Sequence, residues 1–231
     1  KKIISPKKNL SFSENFFHMC FGKVPSKEIV KAFDVSLILY AEHSFNVSTF
    51  TARTITSSLS DIHGAITGAI ASLKGPLHGG ANEEVMHMMK KIKKPENALK
   101  WINNALDKKE VVMGFGHRVY KKGDSRVPTM EKYFKKVSLI KGDKKFIKIY
   151  DIVKKVMIDR KDIHPNVDYT TGPTYHLMRF DTDFFTPIFV ISRITGWSAH
   201  IMEQHATNKL IRPLSKYSGP KHRKVILLNQ R

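Results

Sequence analysis

Apolar residues recur along most of this chain at the three-to-four-residue spacing that places them on one face of an α-helix. In residues 97–108, Ala98, Trp101, Ile102 and Ala105 fall at positions i, i+3, i+4 and i+7. The same spacing predicts helices over residues 26–42, 62–73, 83–94, 128–139 and 145–158, a helix opened by Thr186, and a last long helix over 196–210. Strict alternation, which predicts strands, is almost absent, and only residues 225–228 look strand-like. The pattern therefore predicts an all-α protein.

Local signals define several of the predicted helix ends. Ser26 and Asp61 each stand where an N-cap residue is expected, immediately before a helical segment. Residues 35–41 are apolar on nearly every face, which predicts that the helix carrying them is deeply buried. We expect residues 1–26 to be irregular and residues 164–173 to form a turn-rich joint, because prolines interrupt both segments.

Composition narrows the class of protein. Hydrophobic residues make up 41% of the 231 residues, which is enough for a packed core. No apolar run approaches the roughly 20 residues of a membrane helix, so no membrane contact is expected. The single cysteine, Cys20, excludes an internal disulfide and a cysteine-based zinc cluster and fits a reducing compartment, and we expect a cytoplasmic protein. The chain begins at Lys1 without a methionine, and we interpret it as a fragment or a trimmed form.

Charge raises one alternative class. The chain has 40 Lys and Arg residues against 20 Asp and Glu residues, a net charge of +20, and such a balance is typical of nucleic-acid-binding proteins. The excess is spread over the whole chain, largely as lysine pairs such as Lys90-Lys91, and such pairs usually form the solvated face of a helix. We therefore expect no specific nucleic-acid partner, while a polyanionic ligand stays open.

The richest candidate stretch is VVMGFGHRVY over residues 111–120. Gly114 and Gly116 would let backbone N–H groups approach a ligand closely. His117 can exchange protons near neutral pH, and the cations that follow suit phosphates or carboxylates. The stretch lacks both the third glycine of a dinucleotide fingerprint and the Gly-Lys-Ser/Thr of a P-loop. A ligand-binding loop and a plain tight turn are both open on these residues alone.

Other candidates fall at helix breaks or beside apolar runs. The full set comprises His43, His78, His117, Asp168, Arg126, Arg193 and Arg212. No histidine pair in it has the spacing of a metal site with a nearby acid, and no Gly-x-Ser-x-Gly motif exists, so neither a metal site nor a serine hydrolase is predicted. Several arginines suggest a small polycarboxylate ligand, and histidines with an aspartate suggest proton transfer beside a carbonyl. Arg193 lies in an apolar setting and should need an anionic partner.

Three ordered motifs carry a family resemblance. GPLHGGAN over 75–82, GFGHRVY over 114–120 and NVD over 166–168 resemble the signature motifs of the citrate synthase family. The segments 41–43, 123–130, 171–173 and 194–204 are similar to the 2-methylcitrate synthase branch, which uses propionyl-CoA, and citrate synthases of the same branch share most of them. The resemblance implies an enzyme that condenses propionyl-CoA or acetyl-CoA with oxaloacetate and then hydrolyses the thioester.

Site roles follow from the same resemblance. It implies that Asp168 is the base that deprotonates the acyl thioester, that His78 donates a hydrogen bond to the thioester oxygen, and that His117 polarises the oxaloacetate carbonyl. Oxaloacetate would be held by His43, Arg126 and Arg193, with Arg212 supplied across a homodimer interface. Coenzyme A, a co-substrate and not a permanently bound cofactor, would meet Val112, Gly114, Gly116 and Lys121.

The implied fold is all-α with two domains. Residues 1–78 and 175–231 would form the large domain and residues 79–174 the small one, with hinges near His78 and residues 165–173. Relatives carry an N-terminal helical segment before the part matched here, so we expect the N-terminal part of the large domain to be missing. Ser125 replaces the proline that many relatives have before the arginine, and Arg126 is kept. An inactive truncated relative and a basic nucleic-acid-binding protein are the alternatives.

Overall fold

The computed structural model describes residues 3–221 and 224–231. Its helices are α1 Phe12–Phe21, α2 Lys27–Ala41, α3 Val47–Ser57, α4 Ile62–Leu73, α5 Ala81–Ile92, α6 Pro95–Asp107, α7 Val127–Lys141, α8 Lys145–Lys161, α9 Val167–Leu177 and α10 Phe185–Ala206, with single 3₁₀ turns at Thr182–Phe184 and Leu228–Gln230. Within the described residues the one piece of β structure is an isolated bridge between Phe115 and Pro165. The all-α prediction is confirmed, and residues 225–228 form no strand.

Most predicted helices are present, with ends that local chemistry explains. Asp61 caps α4 by accepting a hydrogen bond from the Gly64 amide, as its position indicates. Ser26 precedes α2, but its side chain makes no capping bond. Pro95 occupies the first turn of α6, where its missing N–H costs nothing.

The predicted irregularity of residues 1–26 is wrong, because α1 lies there. Ser11 and Glu14 form a capping box in which each side chain bonds the other's backbone amide. The helix then buries Phe16 and Phe17 against Phe33 of α2. The signal Ser-x-x-Glu was available in the sequence.

Two further corrections concern helices that the sequence appeared to break. Residues 167–173 are not a joint but the first turns of α9, with Pro173 inside the helix. Gly172 is required there because a Cβ would lie 2.7 Å from the Asn82 carbonyl oxygen of α5. Likewise Gly196 does not start a helix but lies within α10, where a Cβ would come 2.4 Å from the Ala41 carbonyl oxygen. Both glycines allow close packing between elements and are not helix ends.

Burial of α2 is also less complete than predicted. Ala32, Phe33 and Tyr40 are fully buried, but Ile38 is 67% exposed, so one face of the apolar segment meets solvent. Helix α10 packs on α2, α3 and α4, and α3 packs on α4. Helix α5 packs on α9 and α6 packs on α8, while α7 contacts both α9 and α2. The division at residues 78 and 174 stays a prediction. Within the described residues no helix is both long and apolar enough to cross a membrane.

Candidate active site

A cleft of about 1060 Å³ lies where the C-terminal end of α2, the N-terminal ends of α3 and α9, and the 115–126 loop meet. Six of the predicted catalytic and oxaloacetate-binding residues line it: His43, His78, His117, Arg126, Asp168 and Arg193. These side chains come from five separate segments of the chain, since His117 and Arg126 share the 115–126 loop, so the fold brings together residues that are far apart in the sequence. Among the apolar residues that line it, Ile38, Leu77 and Val119 are the most exposed, at 67%, 89% and 68%, and we call these three the apolar rim.

Asp168 lies in the first turn of α9, whose amide the Asn166 side chain caps at 3.1 Å. Its Oδ1 accepts a hydrogen bond of 2.5 Å from the hydroxyl of Tyr40, a fully buried residue of α2. Burial raises the pKa of Asp168 to about 6, against the opposing effects of the Tyr40 hydrogen bond and the Arg126 charge. The carboxylate is thus a stronger base than an ordinary aspartate and still ionised at neutral pH.

His78 is held by the first turn of α3. Its Nε2 lies 2.8 Å from Ser48 Oγ and accepts from the Ser48 backbone N–H at 3.3 Å, so the ring proton is on Nδ1. Ser48 Oγ in turn accepts from the Trp197 indole N–H at 3.1 Å. Burial, followed by the charge of Arg193, lowers the pKa of His78 to about 4. His78 is therefore a neutral imidazole with an Nδ1–H available for donation.

His117 has the opposite tautomer. Its Nδ1 accepts backbone N–H groups from Val119 at 3.0 Å and Tyr120 at 3.4 Å, which leaves the proton on Nε2. Burial and the nearby Arg126 lower the pKa of His117. The His43 ring lies edge-on to it at 5.0 Å, and His43 Nε2 is 3.1 Å from the Tyr120 hydroxyl. Burial, with Arg126 next in effect, lowers the pKa of His43 to about 4.

Arg126 is fixed by the buried Asp124, two residues before it. Asp124 Oδ1 accepts from the Arg126 backbone N–H and Nε, each at 3.0 Å, and Oδ2 accepts from Nη2 at 2.8 Å. Oδ2 also accepts the Val167 backbone N–H at 3.0 Å, which ties the loop to the start of α9. The same carboxylate thereby positions both the arginine and the helix that carries Asp168.

Arg193 is 2% exposed and forms no salt bridge with a carboxylate among the described residues, so the anionic partner that its apolar setting predicts would have to be a ligand. Its Nε donates to the Tyr40 carbonyl at 2.5 Å, and its guanidinium lies 4.7 Å from the centroid of the Phe189 ring. The buried Nη1 has no hydrogen-bond partner in the described chain. Burial lowers the pKa of Arg193 to about 10, so the side chain stays charged at neutral pH. A cation with an unused buried donor at a cleft wall is suited to an anionic ligand.

Not all of the predicted residues converge. Arg212 lies exposed in the C-terminal tail, where its Nη1 donates to the Pro213 carbonyl at 3.0 Å. Of the four residues predicted to meet coenzyme A, Gly116 lines the cleft, Val112 is buried and Lys121 is exposed. Gly114 serves packing: its φ is +83°, and a Cβ would lie 2.7 Å from Val85. Within the described residues no group of three or more His, Cys, Asp or Glu side chains is arranged to hold a metal ion.

Sequence reasoning missed the residues that orient the site. Five residues make the bonds described above but had been assigned no role: Tyr40, Ser48, Tyr120, Asp124 and Trp197. Asp124 could have been found, since an acid two residues before a candidate arginine is a natural partner for it. The others depend on contacts 30 to 149 residues apart in the chain.

The chain matches a known protein family and several of its curated members. Residues 1–214 match the model of the family described as citrate synthase, C-terminal domain. The chain is 55% identical to 2-methylcitrate synthase 2 of Corynebacterium glutamicum over 99% of its length and 61% of that protein. It is 54% identical to citrate synthase of Mycolicibacterium smegmatis, over 96% of this chain and 60% of that one.

Solved structures give the same result. Citrate synthase from Thermotoga maritima superposes with a TM-score of 0.90 at 37% identity, covering 100% of this chain and 64% of that one. The ternary complex of citrate synthase from Thermoplasma acidophilum with carboxymethyl coenzyme A and oxaloacetate superposes with a TM-score of 0.89 at 38% identity, covering 98% and 61%. The chain thus spans about three fifths of the length of these relatives. From its motifs, its helical fold and these matches, the chain belongs to the citrate synthase family.

Proposed function

We propose that this chain carries the condensing site of a synthase that joins an acyl-CoA to oxaloacetate. The observation that supports it most is the convergence of Asp168, His78 and His117 on one cleft with two arginines in its wall. The matched relatives are named 2-methylcitrate synthase and citrate synthase, and one matched structure holds oxaloacetate with a coenzyme A analogue.

Oxaloacetate would bind through its two carboxylates. Arg126 and Arg193 supply guanidinium donors in the cleft, and the buried, unpartnered Nη1 of Arg193 gains an acceptor when the ligand enters. Neutral His43 adds a hydrogen-bonding ring nitrogen beside them. In this arrangement the ketone would face His117, whose Nε2–H is free to donate because its Nδ1 is occupied by two backbone amides.

Asp168 and His78 would activate the acyl-CoA. Asp168 takes a proton from the carbon next to the thioester carbonyl, while the Nδ1–H of His78 stabilises the oxygen on which negative charge develops. A neutral imidazole suits this role because it can donate a hydrogen bond without transferring its proton. The enol carbon then attacks the oxaloacetate ketone, a carbon–carbon bond forms, and the ketone oxygen receives a proton. Water cleaves the resulting thioester and releases coenzyme A and the tricarboxylate.

Coenzyme A itself would be met by a smaller set of residues than the sequence suggested. Gly116 and Arg118 line the cleft, and Lys121 follows on the exposed side of the loop, where its cation favours phosphate groups. Val112 and Gly114 would act indirectly by fixing the loop. Arg212, exposed on the tail, would complete the site of a second subunit in a homodimer. A cytoplasmic location is part of the same proposal and is supported by the unpaired Cys20.

The preferred acyl group is the finer part of the proposal. We favour propionyl-CoA and therefore 2-methylcitrate as the product, because several curated relatives at 55% identity are named 2-methylcitrate synthase. Citrate synthase is the alternative, since a relative at 54% identity has that name. One methylene in an apolar pocket contributes about 1–3 kcal/mol, so activity with both acyl groups is expected.

Thiol release from propionyl-CoA and acetyl-CoA in the presence of oxaloacetate tests both parts. The assay should be run on this chain and on a longer form with the length of its relatives, and the ratio of the two kcat/KM values gives the acyl preference. Asp168→Asn is the matched negative variant, because it keeps the shape of the side chain and removes the base. A longer form that binds oxaloacetate but releases no thiol, or an Asp168→Asn variant with unchanged turnover, would refute the proposal.

A further inference from the structure

A charged cluster lies behind the cleft and touches it through one residue. Arg53 of α3, His200 and Glu203 of α10, and Glu42 at the end of α2 are joined by hydrogen bonds. The Arg53 and His200 side chains are only 13% and 17% exposed. Of the four residues Glu42 alone lines the cleft, directly before His43 in the chain. The proposed chemistry uses none of them.

The hydrogen-bond partners of His200 determine its tautomer. Arg53 Nη1 lies 2.9 Å from His200 Nδ1, and an arginine nitrogen can only donate, so Nδ1 accepts. The proton of the neutral ring is then on Nε2, which donates to Glu42 Oε1 at 3.0 Å. Arg53 also donates to Glu203 Oε2 at 2.5 Å and to the His200 carbonyl at 3.2 Å. The bond from Arg53 thus fixes the tautomer in which His200 donates to Glu42.

Glu42 in turn shapes the turn that carries His43. The same Oε1 that accepts from His200 also accepts from the Ser44 backbone N–H. Ser44 has a φ of +47°, a left-handed conformation that costs free energy for a residue with a Cβ. Asn46 supports the turn from the other side through bonds to the carbonyls of His43 and Ser44. The turn over 42–46 therefore depends on where the Glu42 carboxylate is held.

The negative charge of Glu42 also makes the position of its carboxylate important for ligand binding. Burial tends to raise the pKa of Glu42, but the hydrogen bonds from His200 and the Ser44 amide outweigh it, so the pKa lies below its usual value. Glu42 is consequently an anion at the wall of a cleft whose proposed ligand is a dianion. Its charge is also felt by Arg193, the cation with an unpartnered donor. A Glu42 side chain released from His200 could compete with the ligand for that arginine.

We propose that His200 is a positioning residue for oxaloacetate binding: it holds Glu42 against α10, and so keeps the 42–46 turn and His43 in the arrangement that receives the keto-diacid. The inference rests on the proposed function for its ligand, while the claim about the turn stands on contacts alone. Under this proposal His200 contacts neither the substrate nor the reacting atoms. Its effect is therefore on substrate affinity and not on the chemical step.

Two variants separate the two nitrogens of His200. In His200→Asn the side-chain oxygen takes the place of Nδ1 and can accept from Arg53, but nothing reaches Glu42. In His200→Gln the amide nitrogen takes the place of Nε2 and can still donate to Glu42. Glu203→Gln is the matched control, because Glu203 bonds Arg53 and lies 3.9 Å from His200 Nδ1 without contacting Glu42. All three are made in the longer form of the protein, and thermal unfolding checks that each is folded.

Steady-state kinetics and hydrogen exchange then give independent results. For His200→Asn we expect the KM for oxaloacetate to rise about tenfold, as for a lost hydrogen bond to a charged group, with kcat changed less than about threefold. His200→Gln and Glu203→Gln should stay within about threefold of the parent in both. Amide exchange of residues 42–46 should be faster in His200→Asn only.

The outcomes distinguish this inference from the proposed function. Equal KM effects in His200→Asn and His200→Gln, or a loss of kcat without a rise in KM, would overturn the positioning role. Unchanged amide exchange in His200→Asn would overturn the claim that the turn depends on His200. If the parent protein shows no turnover but the exchange difference is present, the proposed function fails and the dependence of the turn on His200 stands. If His200→Asn does not fold, amide exchange of residues 42–46 in Glu42→Gln tests the turn, because the neutral amide weakens the bonds that both His200 and the Ser44 amide make to the same oxygen; unchanged exchange there would overturn the claim about the turn.

Discussion

The hydroxyl of Tyr40 gives the sharpest test of the acid–base assignment. In the parent chain, burial raises the pKa of Asp168 to about 6, and the 2.5 Å hydrogen bond from Tyr40 keeps it from rising further. Tyr40→Phe removes one oxygen atom from a fully buried position and leaves the ring, which stacks on Phe189 at 3.9 Å, in place. The change thus acts on the carboxylate more than on packing.

The expected size follows from the energy of such a bond. A hydrogen bond to a charged group contributes about 1.5–3 kcal/mol, and 1.36 kcal/mol corresponds to one pKa unit, so its loss should raise the pKa of Asp168 by about one to two units. With a shift of about one unit, the ionised fraction at pH 7 falls from about nine tenths to about one half. The sign is fixed: removing a donor to an anion favours the protonated acid.

The pH dependence of kcat/KM for the acyl-CoA measures this shift. In Tyr40→Phe the acid limb of the profile should move to higher pH by about one unit, while the rate at high pH falls much less. Tyr175→Phe is the control, because Tyr175 is an equally buried tyrosine of α9 whose hydroxyl bonds Ser36 at 3.0 Å and not Asp168. An acid limb that stays in place, or moves to lower pH, would show that Asp168 is not the group that titrates or that Tyr40 does not control it.

Three further predictions concern stability. The folded chain holds the pKa of Asp168 above its ordinary 3.8, so the contribution of this group to stability is complete below pH 3.8 and is lost as the pH rises through about 6. Asp168→Asn should therefore raise Tm at pH 8, by the equivalent of about 1–3 kcal/mol, and leave Tm nearly unchanged at pH 3.5. A lower Tm at pH 8 would contradict the argument that burial raises this pKa. Asp124→Ala should lower the free energy of unfolding in urea by about 3–5 kcal/mol, because it leaves Arg126 without its buried partner. Asp107→Ala, which breaks the exposed pair with Arg160, should lower it by less than about 1 kcal/mol. Equal losses would argue against a structural role for Asp124. Gly196→Ala should lower the free energy of unfolding by about 1–3 kcal/mol, because the new Cβ would be too close to the Ala41 carbonyl oxygen. Gly75→Ala should lower it by less, since the nearest atom is 3.5 Å from a new Cβ. The reverse order would exclude close packing as the reason for Gly196.

Helical periodicity was sufficient to predict the fold class and most of the helices. The apolar stripes of α6 and α8 are strong enough that tertiary contacts do not alter them. The errors occurred where tertiary packing overrode local preference. Gly172, Pro173 and Gly196 disfavour helices locally, yet each lies within one, because the glycines fit against carbonyls of neighbouring helices. Those carbonyls are distant in sequence and could not have been anticipated.

In the candidate site too, some features could be predicted from the sequence and others depended on tertiary contacts. His78, His117 and Asp168 could be selected from the chain because titratable residues at helix breaks, in motifs of a known family, stand out. The tautomer of each histidine could not, since it depends on Ser48 for His78 and on the backbone amides of Val119 and Tyr120 for His117. The raised pKa of Asp168 could not be predicted either, because it depends on the burial of the carboxylate in the folded chain.

The apolar rim has a thermodynamic consequence. Ile38, Leu77 and Val119 are 67%, 89% and 68% exposed around the cleft mouth, and water must order around them for as long as the cleft is open. A ligand that merely docks on the arginines leaves that hydration in place, whereas one that draws the two sides together removes it. Only the second event produces a large negative change in heat capacity. Calorimetric titration with oxaloacetate at several temperatures would therefore reveal whether binding the keto-diacid alone is enough to shut the cleft.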